Sequence, residues 1–255
     1  MFQVLIRLID HHIDTERKYK VVGVQKYSRL PLKVDPSTIP VVGVSSEPAI
    51  ALADLTPQRL RDSFKVKTDW VPESSDEQDY RAFEMLAPKP AAVLIPLIQR
   101  DAGLTMLLTR RTAHLSHHAG QVSFPGGRAE PHDRSPIDTA LRETEEEIGL
   151  ARQHIEPIGH LPDYFTNSGY RVTPIVSLVL PPFELLPDSF EVAEVFEVPL
   201  EFLMNPANHQ TRMAELEDGV RSFYTMPYGR HFIWGATASM LRIFYSYLAA
   251  HLPRA

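Results

Sequence analysis

The chain has 255 residues, of which 44% are hydrophobic and none is cysteine, and its formal net charge is −6 at pH 7. That length suits one large domain or one domain with an appendage, and the lack of cysteine excludes disulfides, thiolate zinc sites and cysteine nucleophiles. The negative charge argues against duplex nucleic acid as a partner. The longest apolar run, residues 91–98, is far shorter than the roughly 20 residues of a membrane span. We therefore expect a cytoplasmic protein that binds neither nucleic acid nor membrane.

Residues 1–50 combine short apolar runs with four prolines, and we assign them no fold and leave open that they are flexible. Residues 51–255 are expected to form the functional domain, with a helix near each end. The first helix is predicted near residues 56–64, because Thr56 is a favourable N-cap and Pro57 suits the first helical position. The polar residues 69–78 are expected to form a loop.

Five segments of apolar and β-branched residues follow, beginning at residue 91. They predict strands at residues 91–98, 105–110, 155–161, 171–180 and 192–199. A last helix is predicted at residues 237–252, with one apolar face made of Met240, Ile243, Phe244, Tyr247 and Leu248. Strands on both sides of a polar helix favour an α/β sandwich with a mixed sheet.

Between the second and third of these strands, residues 142–148 predict a helix with two different faces. At about 100° per residue, three carboxylates share an arc of roughly 100°, those of Glu143, Glu146 and Glu147. The stripe that docks on the core is expected to contain Ile137, Leu141, Thr144 and Ile148. Clustered carboxylates repel one another, and a divalent cation relieves that repulsion. Because oxygen ligands suit Mg²⁺ or Mn²⁺, the pattern predicts a metal site.

This segment resembles the sequence box of the Nudix hydrolases. The positions that match are Gly127, Arg142, Glu143, Glu146, Glu147, Gly149 and Leu150. The chain departs from the box where Asp133 replaces the first glutamate, where eight residues rather than seven separate Asp133 from Arg142, and where Thr144 replaces an apolar residue. The resemblance implies a Nudix-type α/β/α sandwich with a mixed β-sheet, in a Nudix hydrolase domain over residues 51–255. It also implies Mg²⁺ or Mn²⁺ as the cofactor.

A second resemblance concerns the substrate. Residues 107–127 look like the signature that precedes the box in the coenzyme A pyrophosphatase branch, with Arg111 and Gly120 in place and Ser116 where a second arginine is expected. Residues 161–164, 194–200 and 233–238 also resemble that branch, so the likeness covers roughly residues 88–250. It implies hydrolysis of coenzyme A or acyl-CoA to 3′,5′-ADP and 4′-phosphopantetheine or its acyl form.

The resemblance also implies the roles of individual residues. The expected catalytic residues are Arg142, Glu143, Glu146 and Glu147, of which the three glutamates are the expected metal ligands. The expected substrate- and cofactor-binding residues are Arg111, Gly126, Gly127 and Arg128. Guanidinium groups bind phosphate oxygens bidentately, and glycine allows a close approach of the backbone. The identity of the general base is left open.

Two other functions stay open. The substrate could be another nucleoside diphosphate derivative, such as ADP-ribose or a dinucleotide, or the chain could be a binding module that does not cleave its nucleotide. The complete set of glutamates argues against the binding module. The group of His114, His117 and His118 does not predict a zinc site, because no cysteine or converging carboxylate accompanies it. The expected partner is a small-molecule substrate, and a homodimer is left open.

Overall fold

The computed structural model describes residues 34–66, 70–71, 87–115, 118–217 and 219–252. The helices of this part of the chain are α1 (Pro57–Ser63), α2 (Pro136–Ile148), α3 (Leu200–Leu203) and α4 (Gly235–His251). The strands of the same part are β1 (Val41–Val44), β2 (Lys89–Arg100), β3 (Gly103–Arg111), β4 (Val122–Ser123), β5 (Gly126–Arg128), β6 (Ile155–His160), β7 (Tyr164–Phe165), β8 (Tyr170–Val179), β9 (Val192–Pro199), β10 (Gln210–Leu216), β11 (Gly219–Tyr228) and β12 (His231–Trp234).

The larger sheet contains all five strands that the sequence predicts. Its main order is β4-β3-β2-β8-β6, and β5, β7 and β9 pair with β2, β8 and β3 respectively. Strands β2 and β8 run parallel from the pair Lys89–Tyr170 to the pair Ile98–Val179, whereas the other pairings are antiparallel. The predicted α/β fold with a mixed sheet is therefore confirmed.

Helices cover both faces of this sheet because its central strands are apolar on both sides. In β2, Leu94 and Ile98 pack in the core beneath α2, and Ile95 and Leu97 pack in the core beneath α4. All four side chains are fully buried. A strand buried on both faces reads as a continuous apolar run, which is the pattern of residues 91–98. The result is the α/β/α sandwich that the sequence predicts.

The predicted helices are present, with two differences in what they bury. Helix α1 begins as expected, with the Thr56 hydroxyl accepting a hydrogen bond from the backbone N–H of Arg59 at 3.4 Å. Helix α4 buries the predicted stripe but also residues on its other sides, including Leu241 and Tyr245. In α2, Ile137 was expected in the core and is instead 40% exposed. The first turn of α2 buries Thr139 instead, and the buried hydroxyl of Thr139 is satisfied because it donates to Asp133 at 2.9 Å.

A second sheet, with the antiparallel order β1-β10-β11-β12, was not predicted from the sequence. Its strands carry buried polar side chains, including Arg212 and Thr225, which interrupt the apolar alternation of an ordinary strand. Arg212 donates to the backbone oxygens of Ser37, at 2.9 Å, and Ile39. These bonds and the β1–β10 pairing attach residues 35–44 to the second sheet.

Several sequence predictions lie outside the described residues. They include residues 1–33, most of the expected loop at residues 69–78, and two positions of interest, Ser116 and His117. The division at residue 50 stays a prediction, although the pairing of Val41–Val44 with β10 joins that part of the segment to the remainder of the chain. None of the helices in the described part of the chain has the length and apolar character of a membrane span.

Candidate active site

Helix α2 is held at both ends by its own sequence. At the start, the Ser135 hydroxyl accepts a hydrogen bond from the Asp138 N–H at 3.2 Å, and Pro136 occupies the first turn. At the end, Gly149 adopts the left-handed conformation, with φ of 68°, and its N–H donates to the Glu145 carbonyl at 3.0 Å. Serine caps and left-handed glycines stabilise these two positions. The two caps therefore fix where α2 begins and ends, and with it the direction in which each of its glutamates points.

Asp133, which precedes α2, forms a bidentate ion pair with Arg142 of the helix. Arg142 donates from Nε and Nη2 to the two oxygens of Asp133 at 3.0 and 2.9 Å, in the bidentate geometry that favours arginine–carboxylate pairs. Asp133 also accepts from the Glu130 N–H and the Thr139 hydroxyl, and its side chain is only 4% exposed. The hydrogen bonds from Arg142 hold the pKa of Asp133 well below its usual range.

The remaining donors of Arg142 reach strand β5 and the acidic face of α2, which is formed by Glu143, Glu146 and Glu147. Nη1 donates to Glu143 at 2.8 Å and to Glu146 at 2.9 Å, and Nη2 donates to the backbone oxygen of Arg128 at 3.1 Å. Arg142 therefore forms ion pairs with two of the expected metal ligands. Asp133 anchors this arginine, so the residue that replaces the first glutamate of the box positions the others.

The two glycines of β5 are required by tertiary contacts. A Cβ at Gly126, whose φ is 147°, would lie 2.5 Å from the Ala92 oxygen of β2, and a Cβ at Gly127 would lie 2.4 Å from an oxygen of Glu143. Both glycines belong to β5, which pairs with β2, and the group that approaches Gly127 closely is the side chain of Glu143 in α2.

Glu147 is the most buried carboxylate of the acidic face, with 6% of the residue exposed. One of its oxygens accepts from the Gly126 N–H at 3.2 Å, and the other lies 3.5 Å from Nη1 of Arg111. Burial raises the pKa of Glu147 to about 8, and the charges of Glu143 and Glu191 add to the rise. The two hydrogen-bond donors oppose this rise but do not cancel it.

Glu191 is a site residue that the sequence analysis missed. It precedes β9, and its carboxylate lies 3.8 Å from Nη2 of Arg111. Its charge also raises the pKa of Glu143, for which burial is the largest cause. Glu191 belongs to no motif, and it comes close to Arg111 because β9 pairs with β3. Asp133, by contrast, carried a visible signal, since it stands at a box position.

The donor atoms fit a divalent cation, although they are not arranged around one. Among the described residues, no three His, Asp or Glu side chains converge as a ligand group. Glu146 is 60% exposed in its side chain and, like Glu143, is bound to Arg142. Glu147 is different, because it is a buried carboxylate. Its two hydrogen-bond donors do not fully compensate the negative charge of its ionised form. A hard cation supplies that compensation through oxygen ligands.

The other predicted binding residues fall in two places. Arg111, Gly126 and Gly127 lie against the acidic face, whereas the Arg128 side chain is exposed and only its backbone oxygen contacts the network. His118 bonds to Gln121 at 2.9 Å, and His114 lies beside the ring of Phe190. Neither histidine contributes to the acidic face.

The family model for the NUDIX domain matches residues 88–218. The chain is similar to an uncharacterised Nudix hydrolase NudL of Photorhabdus laumondii, with 43% identity over 151 residues that make up 59% of this chain and 80% of that protein. It is also similar to an uncharacterised Nudix hydrolase NudL of Yersinia pestis, with 44% identity over 152 residues, or 60% of this chain and 76% of the relative.

Among solved structures, the chain resembles the Nudix hydrolase RenU of M. smegmatis, with 24% identity and a TM-score of 0.39 over 45% of this chain and 72% of that one. It also resembles the NUDIX domain of Shewanella oneidensis NrtR, crystallised with ADP ribose, with 22% identity and a TM-score of 0.36. That match covers 48% of this chain and 79% of the other.

Proposed function

The chain belongs to the Nudix family, and we propose that this Nudix hydrolase cleaves the diphosphate bond of coenzyme A or acyl-CoA. The products are 3′,5′-ADP and 4′-phosphopantetheine or its acyl form. The main observation that supports catalysis is the buried, weakly compensated carboxylate of Glu147, which lies beside Gly126 and Arg111. Residues 107–127 support the choice of coenzyme A, because this segment resembles the signature of that branch and supplies both Arg111 and Gly126.

Nudix hydrolases generally need a divalent metal such as Mg²⁺ or Mn²⁺. In this chain Glu143 and Glu147 would be the main ligands, with Glu146 as the third. When bound, such an ion neutralises the charge of the diphosphate and acidifies a water molecule. Glu143 and Glu147 lie one turn apart on α2, which keeps both carboxylates on the side of the helix that faces β5.

The other residues of the site hold these carboxylates and the substrate in place. Asp133 fixes Arg142, and Arg142 in turn orients Glu143 and Glu146 through hydrogen bonds of 2.8 and 2.9 Å. The N–H of Gly126 orients Glu147. Arg111 is the guanidinium best placed to bind a phosphate oxygen, because its contacts with Glu147 and Glu191, at 3.5 and 3.8 Å, are long and leave its donors poorly satisfied.

The test is an incubation of the full chain with Mg²⁺ or Mn²⁺ and a panel of coenzyme A, acetyl-CoA, ADP-ribose, NADH and nucleoside triphosphates. Mass spectrometry identifies the products, and kcat/KM ranks the substrates. We expect coenzyme A or its acyl derivative to have the highest kcat/KM and to yield 3′,5′-ADP. An ADP-ribose kcat/KM about tenfold above that for coenzyme A, a gap of roughly 1.4 kcal/mol, would overturn the choice of substrate. A chain that binds nucleotides but hydrolyses none would be the binding module.

A further inference from the structure

A pair of aromatic rings stands in water next to the acidic face. Phe190 is 64% exposed, and the ring of His114, which is itself exposed, lies 4.8 Å from it between ring centroids, at an interplanar angle of 58°. Single exposed apolar side chains are common on protein surfaces and need no explanation. Two exposed aromatic rings in contact near a polar site are a stronger observation, because aromatic faces are what proteins use to stack planar bases.

The backbone around Phe190 is tied to the site by hydrogen bonds. The Phe190 N–H donates to the Asp188 carboxylate at 2.9 Å, and the Phe190 oxygen accepts from the Thr112 hydroxyl at 2.8 Å. The N–H of Asp188 donates to the backbone oxygen of Glu147 at 2.9 Å, and the N–H of Thr112 donates to the oxygen of Glu191 at 2.9 Å. The backbone that carries the ring is therefore hydrogen-bonded both to the last turn of α2 and to the residue that follows β3.

Both rings are also close in sequence to the arginine of the site. Phe190 directly precedes Glu191, whose carboxylate contacts Arg111, and His114 follows Arg111 by three residues. Three residues of extended chain span about 10 Å at most. In a nucleotide, one ribose separates the base from the diphosphate, so a base lies within that reach of a diphosphate held at Arg111.

We propose that Phe190 and His114 form the platform on which the adenine base of the nucleoside diphosphate substrate stacks. The inference rests on the proposed function, since it takes the diphosphate to lie at Arg111 and the acidic face. The pantetheine arm is a less suitable occupant, because a flexible aliphatic chain gains nothing particular from a flat ring. The platform would distinguish adenosine diphosphates from diphosphates that carry no base.

The test measures binding without hydrolysis, by titration calorimetry of the full chain with Mg²⁺. The two ligands are α,β-methylene-ADP and methylenediphosphonate, which share a diphosphonate and differ only in the adenosine. Phe190→Leu keeps an apolar side chain without a ring, and Phe190→Trp keeps an aromatic face. Leu186→Ala is the matched control, because Leu186 is 81% exposed on the same segment and has no ring.

We expect Phe190→Leu to weaken binding of α,β-methylene-ADP about tenfold or more and to leave methylenediphosphonate unchanged. His114→Ala should have a smaller effect in the same direction, while Phe190→Trp and Leu186→Ala should bind both ligands as the wild type does. Equal weakening of both ligands by Phe190→Leu, or of neither, overturns the platform. So does a wild type that binds both ligands with the same affinity. Failure of the proposed function is a separate result, the absence of coenzyme A hydrolysis by a wild type that still binds α,β-methylene-ADP through Phe190.

Discussion

Two arginine–carboxylate pairs involve residues of α2, and they have opposite electrostatic character. In the Asp133–Arg142 pair, two short hydrogen bonds of 3.0 and 2.9 Å hold the pKa of the acid well below its usual range. In the Glu147–Arg111 pair, the charged groups are 3.5 Å apart and burial raises the pKa of the acid to about 8. Two pairs with the same formal charges therefore differ: the carboxylate of Asp133 is fully paired, and the carboxylate of Glu147 is only weakly compensated.

The position of each acid relative to the helix contributes to this difference. Asp133 precedes the N-terminus of α2, where the positive end of the helix dipole stabilises a carboxylate. Glu147 lies in the last turn, where the dipole has the opposite sign. Asp133 also accepts hydrogen bonds from a backbone N–H and a hydroxyl, whereas Glu147 accepts a single backbone bond, from Gly126. The first pair is suited to holding an arginine and the second to binding a cation.

The largest expected effect is on turnover in Glu147→Gln. The substitution keeps the size of the side chain but removes the charge that would bind a metal ion, so kcat should fall at least about a hundredfold with Mg²⁺ saturating. The measurement is steady-state hydrolysis of coenzyme A, with folding checked by circular dichroism. Glu143→Gln should behave in the same way. Near-normal turnover in Glu147→Gln would mean that the buried carboxylate is not part of the catalytic site.

The next effect is on stability, in Asp133→Asn. Removing the charge breaks the bidentate pair and leaves Arg142 poorly compensated, so the free energy of unfolding should fall by about 2 kcal/mol. Urea unfolding measures it. The matched control is Asp138→Asn, whose partner Arg134 is exposed and 3.4 Å away, and which should cost less than about 1 kcal/mol. Equal losses in the two variants would contradict the structural role of Asp133.

A smaller effect is expected on the pH dependence of stability, and it comes from Glu147 in the second pair. Between pH 4.5 and about 8, the folded chain keeps a proton on Glu147 that the unfolded chain has released, so the stability of the metal-free protein falls as the pH rises through this range. Glu147→Gln removes that loss and should raise the midpoint of thermal unfolding at pH 8 by at least about 3 °C in EDTA. At pH 4.5 the two proteins should unfold alike.

Added Mg²⁺ provides the control for this experiment. At pH 8 the ion should stabilise the wild type more than Glu147→Gln, because only the wild type has a carboxylate at position 147. The same gain in midpoint at pH 4.5 and pH 8 would show that the variant stabilises by packing and not by removing a charge.

The smallest effect is expected in Glu145→Gln. Glu145 is exposed, and its one described ion pair, to Arg152 at 3.5 Å, is also on the surface. Stability should change by less than about 0.5 kcal/mol, and coenzyme A turnover should be unaffected. A large loss of turnover in a folded Glu145→Gln would mean that α2 presents a different face to the substrate.

Strands and helices with simple apolar patterns could be predicted from the sequence alone. Five strands of the large sheet, α2 and α4 follow from continuous or periodic apolar residues, because burial needs those patterns. The second sheet could not be predicted, since Arg212 and Thr225 are buried in it and satisfied by distant partners such as the backbone of Ser37. The burial of Thr139 in the first turn of α2, where Ile137 is exposed, was likewise not predicted, and its hydroxyl is satisfied by Asp133, six residues earlier in the chain.

In the candidate site, the sequence alone determined which side chains share a face, because helical spacing sets the angle between them. Helical spacing aligns Glu143 most closely with Glu147, but it does not show which of the neighbouring residues Glu146 and Glu147 is buried. Only the tertiary structure does so, by packing β5 and Arg111 against Glu147 and leaving Glu146 largely in water. The physical reason is that the angle of a side chain about the helix axis does not show which strand lies opposite it. Burial against that strand is what raises the pKa of Glu147.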